Sequence, residues 1–211
     1  MKGFEQSNET NWAVTWQDTR FRWQLVLAVV VFAIFPWKAD DYFQWIQQRD
    51  GAVMQDLILE NIPSINVSIP IFGIIYVSVI YLLIRIIRLP KHFLWFAWAF
   101  NLETLLRFLC IYAIPLNPPD GLVELHDPLA EFFIYGENIA ITKDLFFSGH
   151  TATMVFVCFF LPDMRERKIA IGLTIVLVIF LLIQHVHYSL DILAAPLATW
   201  MSIRLAKYLV S

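Results

Sequence analysis

Apolar positions along this chain gather into six runs separated by polar connections. Each is long enough, or nearly so, to cross a hydrocarbon layer of ~30 Å as a helix. They fall at about 22–37, 66–87, 93–115, 148–161, 169–184 and 187–208. The third is interrupted by Glu103 and Arg107, and the fourth opens on the polar triplet Ser148, Gly149 and His150. The pattern predicts an all-α, polytopic membrane protein. A polar segment (1–21) precedes a six-helix transmembrane domain (22–208), whose long connections lie at about 38–64 and 116–147.

Composition agrees: of 211 residues, 59% are hydrophobic and 16% charged, too apolar for a soluble domain of this length. The first twenty residues lack an apolar stretch followed by a small-residue cleavage site, so the first span is expected to serve as the insertion signal. Cys110 and Cys158 both fall inside apolar runs, as packing residues do, and leave the redox compartment open. The net charge of −3 matters less than where the charges stand. Lys2, Arg20 and Arg22 precede the first run, and Arg85, Arg88 and Lys91 flank the link between the second and third. Arg165, Arg167 and Lys168 sit between the fourth and fifth, and Arg204 and Lys207 near the C-terminus. Only Lys38, Arg49 and Lys143 lie on the opposite side. The positive-inside rule then makes both termini cytoplasmic and both long connections external.

That orientation gathers the ionisable residues of the spans. His150 opens the fourth helix, and His187 and Asp191 share a face at the start of the sixth. Arg107 stands about two turns from the outer end of the third. All four reach one outer-leaflet level, and phosphoryl transfer suits them. Ser148 can cap its helix and Gly149 lets the backbone approach a ligand closely, while the helix N-terminus favours a phosphate. Arg107 can grip two phosphate oxygens and keeps its charge. Two histidines supply a nucleophile and a general acid, and a carboxylate orients one of them. No cofactor or metal is needed. Against this stand blander readings: an interfacial His150, a structural His187–Asp191 pair, and an Arg107 that only neutralises Glu103 at i−4. The 116–147 connection holds six carboxylates and one lysine. It is either a solvated acidic loop or a lid for a cationic head group.

The motifs SGHT (148–151) and HYSLD (187–191) resemble the type 2 phosphatidic acid phosphatase (PAP2) superfamily. More specifically, KDLFFSGHT and HVHYSLD look like its sphingomyelin synthase branch, with Asp144 four positions before Ser148 and Ser189 in place of threonine. LETLLRFLCIYAIPLNPP (102–119) resembles that branch's third-helix motif. The resemblance covers about 100–205 and implies a PAP2-like bundle. It further implies that His187 is the nucleophile, forming a phosphohistidine backed by Asp191, and that His150 protonates the leaving alkoxide and then activates the acceptor. The lipid phosphatases' Lys-x6-Arg-Pro motif is absent, which leaves Arg107 as the anion clamp. Their Ser-Arg pair before the nucleophile is absent too, and LLIQ leads into His185 instead. His185 is expected to be a supporting or interfacial residue.

The leading expectation is a lipid phosphotransferase or phospholipase C-like enzyme. Its donor would be a membrane phospholipid carrying phosphocholine or phosphoethanolamine, and its acceptor a lipid alcohol such as ceramide or diacylglycerol, or water. Asp144, Tyr188, Glu131, Tyr135 and Phe147 are candidates to hold the head group or support the site, the aromatics by cation–π contact. Three alternatives remain: a phosphatase acting on phosphatidic acid or an isoprenoid pyrophosphate, a proton-coupled transporter, and a metal hydrolase built on His150, His185, His187 and Asp191. No nucleic-acid partner is expected, and the oligomeric state stays open.

Overall fold

The computed structural model describes residues 11–125 and 141–211. Among them are seven helices: α1 (Trp12–Thr15), α2 (Thr19–Gln47), α3 (Ser68–Ile86), α4 (Pro90–Ala113), α5 (Gly149–Phe160), α6 (Met164–Ile183) and α7 (Ser189–Val210). No strand is found among the described residues, so the all-α expectation holds there. Three helices, α2, α3 and α4, are long and apolar enough to cross a membrane, and α5 is a shorter apolar helix. In α6 the charges of Arg165, Glu166, Arg167 and Lys168 are confined to the first two turns.

Successive long helices run antiparallel, and contacts at the two ends fix this. At one end Trp12 Nε1 donates to the Ile87 carbonyl, Gln24 Nε2 to that of Leu209, and Arg85 pairs with Glu166 at 3.0 Å. At the other end the starts of α5 and α7 meet directly, where the Ser148 amide donates to the Asp191 carbonyl at 3.1 Å. The core between them is built by α3 to α7, with Ile71, Leu82, Ala99, Met154, Phe160, Leu177 and Ile203 all buried. Trp95 Nε1 reaches across from α4 to the Ile203 carbonyl of α7 at 2.9 Å. Polar side chains such as Asn101, Glu103 and Thr199 are buried, while Val29, Ile80, Ile175 and Leu193 face outward. An apolar exterior around a partly polar interior is the arrangement of helices that pack in lipid.

α2 is longer than the first apolar run: it passes through Pro36 and continues to Gln47, into the connection expected at 38–64. At about 1.5 Å per residue its 29 residues reach roughly 43 Å, more than a hydrocarbon core needs. The extension is held because Ala39, Phe43 and Ile46 bury against Ile111 and Phe108 of α4. Tyr42 stacks on Phe108 with ring centroids 4.7 Å apart and donates its hydroxyl to the Phe108 carbonyl.

Beyond α2 the chain returns over the end of the bundle. There Ala52 donates its amide to the Pro115 carbonyl and accepts from the Asn117 amide, an isolated parallel bridge opposite Leu116. Gly51 permits it, because a Cβ there would lie 2.5 Å from the Leu116 carbonyl carbon.

Candidate active site

The starts of α5 and α7 build the site. Ser148 is fully buried as the N-cap of α5, its Oγ accepting from the Thr151 amide. The amides of Gly149 and His150 then belong to the first turn, where the helix offers no intrahelical acceptor and the dipole favours an anion. On α7 a reciprocal capping box forms: the Tyr188 amide donates to Asp191 Oδ2 at 3.0 Å, and the Asp191 amide to the Tyr188 carbonyl. This buries Asp191 completely and leaves His187 only 2% exposed.

His187 Nδ1 faces Asp191 Oδ2 at 3.5 Å, too long for a well-formed hydrogen bond but close enough for the carboxylate to stabilise an imidazolium. The opposite ring edge, away from the carboxylate, carries Nε2. The His150 ring lies 5.8 Å from that of His187, centroid to centroid, and 6.0 Å from Phe72. His150 Nδ1, His187 Nδ1 and Asp191 Oδ1 are buried without a hydrogen-bond partner, an arrangement that a bound polar group would relieve.

Arg107 joins the same place from α4. Its Nε donates to the Phe147 carbonyl at 3.0 Å and its guanidinium pairs with Asp144 at 2.6 Å. A Cβ on Gly149 would come within 2.6 Å of Arg107 Cζ, so the glycine is what lets the cation lie against the first turn of α5. The ion pair of Arg107 is with Asp144 across the chain, whereas Glu103 lies one turn deeper in α4 with Oε1 buried and unpartnered.

The other candidates separate by environment. Phe147 is 1% exposed, packed with Ala152 and Ala195 against Leu106 and Cys110, so its ring supports the loop instead of facing a head group. The Tyr188 hydroxyl donates to Asn117 O at 3.0 Å and accepts from the Met54 amide. His185, at φ 55°, turns away from the histidine pair: its ring nitrogens contact the carbonyls of Asp120 at 2.9 Å and Ile62 at 3.2 Å. That leaves it outside any constellation with His150 and His187. No group of three His, Cys, Asp or Glu placed to hold a metal occurs among the described residues. Glu131 and Tyr135 lie outside the described residues.

Two residues not singled out from the sequence also bind this end together. Asp56 accepts from both the amide of Ser189, at 2.6 Å, and its hydroxyl, at 3.1 Å. Burial works to raise the Asp56 carboxyl, but the hydrogen bonds from Ser189, Leu59 and Ile58 outweigh it and hold the group below its ordinary value. Gln184, fully buried, accepts from the Val67 amide and donates to Ser68 and the carbonyls of Val123 and Glu124. Its one visible signal was a polar residue closing the clean apolar run of 169–183.

Fold and site together define a helical bundle that joins two histidines, a buried aspartate and a clamped arginine at one end. Over residues 143–208 the chain matches the family described as PAP2 superfamily C-terminal. The matched stretch runs from Lys143 through α5, α6 and most of α7, and it contains both histidines and Asp191. It supports a place in the PAP2 superfamily, whose members are phosphatases and phosphotransferases. No curated protein gives a significant match.

Proposed function

We propose that this chain is a six-span membrane phosphotransferase of the sphingomyelin synthase type, working without a metal from the outer leaflet, with both termini cytoplasmic. The observation that carries the reading is the convergence of His150, the His187–Asp191 pair and Arg107 on the first turn of α5. His187 Nε2 attacks the phosphorus of a glycerophospholipid, and the bond from phosphorus to the glycerol oxygen breaks. His150 gives its proton to the leaving alkoxide while Asp191 stabilises the His187 cation. Arg107 and the α5 amides hold the phosphoryl oxygens. His150 then takes the proton of the acceptor hydroxyl, that oxygen attacks the phosphohistidine, and the N–P bond breaks. With a lipid alcohol the product is a new phospholipid; with water it is a soluble phospho-head group.

A phosphodiester donor is favoured because Arg107 is the one arginine against the seat and Asp144 already offsets part of its charge. A phosphomonoester, with its additional negative charge, calls for more cations, and that is the second reading, a lipid phosphate phosphatase.

The test is to incubate purified protein with head-group-labelled phosphatidylcholine or phosphatidylethanolamine, with and without ceramide or diacylglycerol. Label on the acceptor lipid marks a transferase, and soluble phospho-head group a lipase. Release of phosphate from phosphatidic acid alone replaces the proposal with the phosphatase reading. His187→Ala is expected to abolish turnover, and full activity in that variant overturns the mechanism.

A further inference from the structure

Away from the two histidines but at the same end of the bundle, a shallow cavity lies between the C-terminal ends of α2 and α4. Its enclosed part holds little more than a water, so a larger group would rest across its open mouth. Ile46, Ile111, Pro115 and Leu116 form its apolar walls, and Arg49 and Lys143 bring two cations to it. These are two of the three basic residues expected on the outer side, and the third, Lys38, has its own partner in Asp41. Among the described residues neither Arg49 nor Lys143 has a carboxylate partner. Asp144, next in sequence to Lys143, is committed to Arg107.

Both cationic residues line this one depression. Lys143 Nζ donates to the backbone carbonyl of Arg49. The Arg49 guanidinium lies over the rings of Trp45, at 4.8 Å, and Tyr112, at 5.5 Å, which hold the fork in one orientation. Its Nη1 is buried and has no hydrogen-bond partner. Arg49 is half-buried with this one nitrogen unmet, in a depression it shares with a second cation, and an oxyanion at the mouth would answer both. Arginine presents a fork to two oxygens of such an anion, and lysine a point charge. The apolar walls below favour an anion whose other end is apolar.

We propose that Arg49 and Lys143 form a phosphate site for an anionic phospholipid of the surrounding leaflet, distinct from the catalytic seat. The proposal rests on the membrane reading above and not on the transfer chemistry. Residues 141–145 run without helix, so neighbours alternate sides: Lys143 turns to Arg49 and Asp144 to Arg107. A lipid held at Lys143 therefore steadies the segment that carries the Arg107 clamp.

The test uses the full-length His187→Ala protein, which cannot turn lipid over, in neutral-detergent micelles. Its thermal unfolding midpoint is followed against phosphatidylglycerol, phosphatidylcholine and inorganic phosphate. Phosphatidylglycerol is expected to raise the midpoint by about 5 °C near saturation. Adding Arg49→Ala or Lys143→Ala should weaken the binding at least ~10-fold, and Arg49→Lys, which keeps charge but not the fork, less so. Equal stabilisation by inorganic phosphate at the same concentration would overturn the lipid assignment in favour of a free anion. Phosphatidylglycerol acting alike on parent and variants, or phosphatidylcholine acting as well as phosphatidylglycerol, would overturn the site. The readout is binding by an inactive protein, so its failure leaves the catalytic reading standing, and failure of that reading leaves the site standing.

Discussion

Gly149 sits where α5, Arg107 and the expected phosphate all meet. Arg107 is fixed at both Nε and Nη2, so it cannot simply swing away from an added methyl group. Gly149→Ala is therefore expected to lower turnover by about 10²-fold through misplacement of the clamp, with the unfolding midpoint little changed. Steady-state kinetics beside a thermal melt check both halves. Asp144→Asn removes the charge opposing Arg107 and keeps the side chain's shape. Its effect should appear in substrate affinity more than in the fold, measured as a changed KM at an unaltered midpoint. The sequence offered Arg107 as the phosphate clamp and Asp144 as a head-group or supporting residue, but could not pair them. They are 37 residues apart, with a turn-rich connection between, and Glu103 at i−4 was the partner that helix periodicity made visible. The common level of His150, His187 and Asp191 was legible for the opposite reason: His150 and Asp191 stand in the first turns of their helices and His187 just ahead of α7, so helix direction alone set it.

The first turn of α7 is held by elements distant in sequence. Ser189 is the first residue of that helix, where proline is well tolerated, and Tyr188 before it is extended at φ −68° and ψ 153°. Ser189→Pro thus removes the amide that donates to Asp56 without breaking the helix. It is expected to reduce turnover by about tenfold while circular dichroism stays unchanged, and Asp56→Ala should do the same. The pH dependence has a definite sign. A carboxylate whose folded value is depressed adds stability above its unfolded value of 3.8, and loses it as pH falls through the lower folded value. The gap in unfolding midpoint between the parent and Asp56→Asn should therefore be flat from neutral pH to about 4 and close only below that. Gly51→Ala, whose methyl group meets backbone at Leu116, is expected to destabilise the protein by about 1–3 kcal/mol in denaturant titrations. None of these ties was legible, since Asp56 and Gly51 sit in a segment with no periodicity. The length of α2 was hidden too. Pro36 followed by Lys38, Asp40 and Asp41 reads as the end of a span, yet α4 supplies the apolar partner that keeps the helix going.

At the scale of the whole chain, reporters fused to the two termini should fall on the same, cytoplasmic side, and a label placed at residue 120 on the other. A reporter split between the faces would remove the topology on which the outer-leaflet site depends. The bundle also imposes an order of events during synthesis. α4 makes its main partnership with α7, and the Trp95 to Ile203 bond spans 108 residues of chain. At roughly 5–20 residues per second, α4 leaves the ribosome about 5–20 s before the helix it must pack against. For the first part of that interval, until residues 37 and 40 positions further on are made, Arg107 has neither Asp144 nor Phe147 to hold, and throughout it Glu103 must be sheltered from lipid by something other than its final neighbours. A nascent chain halted before residue 189 should accordingly keep α4 beside the insertion machinery, where site-specific crosslinking would find it. The C-terminal half of this protein is thus also a timer on its own assembly.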